Sequence, residues 1–170
     1  DFDKALEWLR TKGLSKAAKK SGRIAAEGTV SSYIHAGGRI GVLVEINSET
    51  DFVARTDDFK NFVHDISMHI AAMGPQFVKS DEISSEDTNK EREVLIAKAL
   101  EEGKKKEFLD KIIEGQLKKW ASEICLLNQK FVKNPDQTIE DYLKETIAKI
   151  GENIVNRRFV RWELGEGIEK

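Results

Sequence analysis

The 170-residue chain has little of what catalytic and secreted folds commonly rely on. It holds one cysteine, two prolines, two methionines and two tyrosines. The lone cysteine, Cys125, excludes an internal disulfide and a zinc site built from several thiolates. No apolar run approaches the roughly 18–20 residues of a membrane helix, and the start carries no signal-peptide pattern. There is no large charge of one sign either. Lys and Arg number 28 against 30 Asp and Glu, for a net charge of −2 and a pI near 6.0. That balance argues against nucleic-acid binding through overall positive charge. What remains is a chain with 39% hydrophobic residues, enough to build a core and to exclude disorder throughout. It reads as one soluble domain of a reducing compartment. It opens at Asp1 inside a helical pattern and without Met, so further residues are expected in front.

Signatures of chemistry are also missing. There is no GxxxxGK[ST] loop, no GxGxxG after a strand and no GxSxG elbow. Cys125 sits beside Leu126-Leu127 with no histidine near it in sequence, as a buried structural thiol does. His64 and His69 are five residues apart, about 140° around a helix, whereas metal ligands on a helix share a face. The sequence therefore predicts no catalytic residue, no metal and no cofactor, and a protein that is not an enzyme.

Periodicity supplies the elements. Residues 3–11 have helical spacing with Gly13 as a stop, and a second short helix is expected over Leu14 to Lys20. From Arg10 to Arg23 there are six basic residues and no acid. The run suits RNA, an acidic protein surface or a solvated linker helix. Val30–Ala36 and Arg39–Asn47 form the clearest hairpin, turned at Gly37-Gly38. In its second strand Ile40, Val42, Val44 and Ile46 share the core face. Thr56 caps a helix whose apolar stripe is Phe59, Phe62, Val63, Ile66 and Ile70, ended by Gly74-Pro75. Two Lys/Glu-rich helices meet near Gly103, with stripes on Val94, Ala97 and Leu100 and on Phe108, Leu109, Ile112, Ile113, Leu117 and Trp120. Their narrow seam predicts a projecting antiparallel coiled-coil hairpin. Asn134-Pro135-Asp136 reads as a turn, and Thr138 caps a helix that ends at Gly151. Residues 153–164 alternate as one strand that pairs with the hairpin. Fold class is α+β, an antiparallel sheet of at least three strands packed against helices.

One segment stands apart, Ser48-Glu49-Thr50-Asp51-Phe52-Val53-Ala54-Arg55, at the exit of the best strand. Asp51-Phe52 pairs an anionic acceptor with a large ring, which suits a wedge entering a partner's pocket. A second reading stays open: Ser48 and Asp51 fit a capping box, with Phe52 packed under the next helix.

These residues resemble those of the translation elongation factor Ts family. TDFVAR at 50–55, preceded by GVLVEINSE at 41–49, is similar to that family's most recognisable stretch. LSKAAKKSGRIAAEG at 14–28, HDISMHIAA at 64–72, EGQLKKW at 114–120, LLNQKFVK at 126–133, IGENIVNRRF at 150–159 and WELGEGIEK at 162–170 follow in the family's order. The resemblance implies a guanine-nucleotide exchange factor for elongation factor Tu in translation elongation. Asp51 and Phe52 would enter that GTPase near its Mg²⁺ and phosphate site and release GDP, with Thr50, Val53 and Arg55 shaping the segment. His69 matches a core-helix histidine of the family that lies near the GTPase. The resemblance also implies domain limits: 1–13 as the last helix of an N-terminal helical (UBA-like) domain, 14–28 as a basic linker helix, 29–165 as a dimerisation core containing a coiled-coil hairpin at 84–122, and 166–170 as the start of a C-terminal tail. Partners so implied are elongation factor Tu and a second copy of the chain, with no membrane, in a bacterial cytoplasm or an organelle matrix. The alternative is a ribosome- or RNA-associated protein using the basic 10–23 segment.

Overall fold

A computed structural model describes residues 1–169. Lys170, the last residue of the expected tail, lies outside the described residues. The chain divides into two compact units, Asp1–Gly74 with the chain from Lys130 onward, and Pro75–Gln129.

The first unit is built on a three-stranded antiparallel sheet in the order β1 (Glu27–Ile34), β2 (Ile40–Ser48), β5 (Ile154–Glu163). Central β2 places Val42, Val44 and Ile46 in the core, as its alternation predicts. The hairpin loop is longer than a two-residue Gly-Gly turn. His35 N–H donates to the Ile40 carbonyl at 2.9 Å, so Ala36 to Arg39 lie between, and both glycines take positive φ.

The expected single alternation of the last strand is corrected. Between β2 and β5 the register shifts, so that Glu45 faces Arg158 while Ile46 faces Asn156. Arg157 is the extra residue of a bulge, and side chains beyond it change face. Ile154 and Asn156 are buried before it, whereas Phe159 and Arg161 turn inward after it. The bulge also brings Arg157 and Arg158 to one carboxylate, Glu45, at 3.2 and 2.7 Å. A hydrogen bond from the Asn47 amide, with the bond and charge of Arg158 and the charge of Arg157, holds the Glu45 carboxyl below the usual carboxylate range.

α3 (Asp57–Met73) starts at Thr56, whose hydroxyl accepts from Phe59 N–H, and ends at Gly74 in the left-handed region. Its predicted stripe is entirely buried and packs on the sheet. Arg161, turned inward by the bulge, donates from Nε and Nη2 to the Ala71 carbonyl in the last turn, at 3.2 and 2.9 Å. These donors satisfy an orphan carbonyl of the helix end. α6 (Ile139–Ile150) has the predicted limits, with a Thr138–Asp141 capping box and Gly151 at φ 87°. Its Tyr142 hydroxyl donates to Asp65 at 2.6 Å, and burial, then that bond, pushes the phenol pKa up.

Two further expectations are corrected in this unit. α1 runs unbroken over Phe2–Lys20, so Gly13 is not a stop. A Cβ on Gly13 would lie 3.7 Å from Ala148 Cβ of α6, and packing of the two helices prevails over the weak local preference of glycine to end one. The structure gives no further support to a UBA-like remnant. Asn134-Pro135-Asp136 belongs to a strand, β4 (Asn134–Thr138), paired with β3 (Lys130–Phe131). A two-stranded ribbon has edges that tolerate proline's missing N–H.

The second unit is a helical hairpin, α4 (Ser85–Glu101) and α5 (Lys106–Ile124). The short link over Glu102–Lys105 turns the chain back so that the helices run antiparallel, and an Arg92–Glu114 ion pair at 2.6 Å joins them. Ala99, Ile113 and Leu117 form the seam with Leu95, Ile96, Leu109 and Trp120. The stripe expected on α4 is therefore displaced, and Val94 and Leu100 are exposed, as is Phe108. Leu95, Ile96 and Ala99 offer the same three-to-four spacing, and pairing with α5 selects between the two faces. At the unit's base Phe77 and Cys125 form a parallel bridge, and Leu126 N–H donates to the Phe77 carbonyl at 2.8 Å. Cys125 is fully buried; burial, then the carboxylates of Glu82 and Asp81, pushes its thiol up, as expected of a structural cysteine.

Gly28 offers a test of the sheet. Its φ is 122°, and a Cβ there would lie 2.2 Å from the Ile46 carbonyl oxygen on the neighbouring strand. Gly28→Ala is expected to lower the unfolding free energy by at least about 2 kcal/mol, read from the urea midpoint.

Candidate functional site

The 48–55 segment is not a plain loop. Asp51–Ala54 forms one helical turn, α2, at the exit of β2. The capping box expected of Ser48 and Asp51 is absent. Ser48 instead donates to the Thr50 carbonyl at 2.8 Å, and Thr50 is the cap, its hydroxyl accepting from Val53 N–H at 3.3 Å. Val53 is buried and anchors the turn, while Phe52 is 73% exposed. This excludes the reading in which Phe52 packs under the following helix. The helical turn sends neighbours 52 and 53 to different sides, so burying Val53 directs the Phe52 ring outward.

Arg55 Nη2 lies 2.8 Å from Asp51 Oδ2, an exposed pair one turn apart. Such a pair contributes about 0–1 kcal/mol, so a partner's donor can replace Arg55 at little cost. Thr50, Asp51, Phe52, Val53 and Arg55 are thus brought together on one turn. His69 is not among them. It lies about 20 Å along α3 from the Thr56 cap, fully buried, with its Nδ1 accepting from Val132 N–H at 3.1 Å and its ring 6.0 Å from that of Phe131.

The sequence reading missed Glu152. Its Oε1 accepts from Glu49 N–H at 3.1 Å and Thr50 N–H at 3.0 Å, and its Oε2 accepts from the Thr50 hydroxyl at 2.8 Å. In return Glu49 Oε1 accepts from Asn153 N–H at 2.9 Å. The only hint in sequence is an acid directly after the Gly151 helix stop.

The basic run is partly consumed within the chain. Arg10 reaches Asp141 at 4.0 Å, Lys20 donates to the Gly151 carbonyl at 2.9 Å, and Arg23 lies 3.6 Å from Glu49. Among the described residues no cluster of three or more His, Cys, Asp and Glu is placed to hold a metal, and no helix is long and apolar enough to cross a membrane.

An exposed aromatic on a braced helical turn, flanked by a loosely held carboxylate, has the geometry to fill a partner's apolar pocket. The family model described as Elongation factor TS matches residues 14–166. Proteins called Elongation factor Ts from Carboxydothermus hydrogenoformans and Alkaliphilus metalliredigens are each 61% identical over the whole of this chain, which covers 78% and 79% of them. The counterpart from Geobacter sulfurreducens is 57% identical over the whole chain and 79% of its own length. The chain belongs to the elongation factor Ts family, and its role lies in the elongation phase of protein biosynthesis.

The exposure of Phe52 yields a stability test. Phe52→Ala is expected to change the unfolding free energy by no more than about 0.5 kcal/mol, read by urea denaturation. A loss of about 3 kcal/mol, typical of a core phenylalanine, would contradict the exposed placement.

Proposed function

We propose that the chain is a guanine-nucleotide exchange factor for elongation factor Tu and that the Asp51-Phe52 turn is the element that loosens GDP. The observation that carries this reading is the outward Phe52 ring on a turn braced by Thr50, Val53 and Glu152. The ring enters the GTPase near its Mg²⁺ and phosphate site, and the Asp51 carboxylate fixes the approach. Exchange of this kind needs no acid, base or nucleophile of its own, and the chain acts without being an enzyme. It works by coupling: the factor by which the chain weakens GDP binding is the factor by which GDP weakens the chain's binding. Mg²⁺ is often the largest local charge in such a site, so disturbing its ligation supplies a large coupling. Buried His69 acts indirectly here, by holding the turn between β3 and β4 at Val132. Four basic residues of the 10–23 run, Arg10, Lys12, Lys20 and Arg23, have partners inside the chain, which supports a protein partner over RNA. The family's place in translation supports a bacterial cytoplasm or an organelle matrix as the setting of this work.

We also propose a homodimer joined through the outer sheet face. Val30, Ile34, Leu43, Val160 and Trp162 lie on that face by strand register, and Trp162 is 77% exposed. Aligned sheet packing of two such faces buries them mutually. The expected 1–13, 14–28, 29–165 and 166–170 divisions are kept as a proposal about the intact protein, although the first boundary falls within α1, which ends at Lys20, and the second within β1.

Release of fluorescent GDP from elongation factor Tu tests the first proposal. Substoichiometric chain is expected to accelerate it, and Phe52→Ala to lose about 2 kcal/mol of productive interaction, or about thirtyfold in rate. Wild-type rates from Phe52→Ala would sink the wedge. For the dimer, sedimentation is expected to give twice the 19.2 kDa chain mass, and Trp162→Glu to return it to one chain.

A further inference from the structure

We infer that Glu152 is a positioning residue for the Asp51-Phe52 turn, setting the direction in which the Phe52 ring points. This rests on the exchange-factor reading above. Both oxygens of the carboxylate are engaged by the two residues immediately before Asp51: Oε1 by Glu49 N–H and Thr50 N–H, Oε2 by the Thr50 hydroxyl. That hydroxyl, its proton given to Glu152, has a lone pair left for Val53 N–H. One side chain therefore orients the cap that starts the helical turn. Charge-assisted bonds of this kind are stronger than neutral ones, and three of them to one group fix rotation as well as distance.

The mounting of Glu152 is rigid. It follows Gly151, where α6 stops, and stands two residues before Ile154, where β5 pairs with Ser48 of β2. The Ser48–Ile154 pairing already joins the two strands, so the sheet does not require the Glu152 bonds. Their beneficiaries are the residues past the end of β2. The reciprocal bond from Asn153 N–H to Glu49 Oε1, with Arg23 beside that oxygen, prevents Glu49 from swinging away.

The test follows GDP release from elongation factor Tu at saturating chain for the wild type, Phe52→Ala, Glu152→Ala and Glu152→Gln. Thermal melting and amide hydrogen exchange at Glu49, Thr50 and Val53 accompany it. Gln keeps one oxygen for the two backbone donors and can donate to the Thr50 hydroxyl. Glu152→Ala is expected to lower the saturating rate about tenfold, to deprotect the Thr50 and Val53 amides, and to leave melting nearly unchanged. Glu152→Gln is expected to recover most of both losses. A wild-type rate from Glu152→Ala beside a slow Phe52→Ala overturns the positioning role and leaves the wedge standing. Equal rate losses in both Glu152 variants with a lowered melting temperature also overturn it, in favour of a general staple. A wild-type rate from Phe52→Ala means that the wedge reading has failed. Amide exchange then decides separately whether Glu152 holds the turn, and unchanged protection overturns it.

Discussion

The reciprocal grip between Glu49-Thr50 and Glu152-Asn153 is the interaction on which the placement of the Asp51-Phe52 turn depends. It joins the exit of the central strand to the entrance of the last one. Without it the chain beyond Ser48 would be fixed by the short Ser48–Thr50 bond, by Val53 in the core and by the Thr56 cap of α3. The last two lie after the Phe52 ring, and the Ser48–Thr50 bond is local to the segment itself. The grip ties the residues before the ring to a separate strand, so the turn is held on both sides. An exposed aromatic is of use to a partner only when its direction is set beforehand, because ordering it on contact would consume part of the binding free energy.

The bulge at Arg157 organises the other end of the sheet. With Arg157 taken out of the alternation, Arg161 faces the last turn of α3 and Trp162 faces away from the core. A strand without the bulge would present the opposite set. The same residue thus decides both how the principal helix is terminated and what the outer face offers. Glu45 belongs to this arrangement, since its carboxylate receives both arginines that the bulge places side by side.

Local chemistry made much of the fold legible in the sequence. The caps at Thr56 and Thr138 and the stops at Gly74 and Gly151 are written in single residues, and the structure observes them. The buried stripe of α3 and the inward face of β2 follow from period alone. What escaped depends on distant partners. Gly13 continues a helix because α6 lies against it. The seam of α4 is settled by α5. The phase change in β5 requires β2 to show which residue is extra. At the candidate site the outward Phe52 and Asp51 were readable as a pair, but the choice between wedge and core residue needed the buried Val53 beside them. Glu152 left only the hint of an acid after a glycine, which has no local meaning until its oxygens meet backbone donors about a hundred residues away.

The parallel bridge between Phe77 and Cys125 has a consequence for how this chain tolerates change. The two ends of the helical hairpin meet at neighbouring-strand distance, about 4.8 Å. Everything between them is a closed excursion from a single point on the chain. The strand pairs of the sheet and the bonds of the Glu152 grip use no residue of α4 or α5. A residue inserted between Ser48 and Thr50, by contrast, would move the backbone donors that meet Glu152.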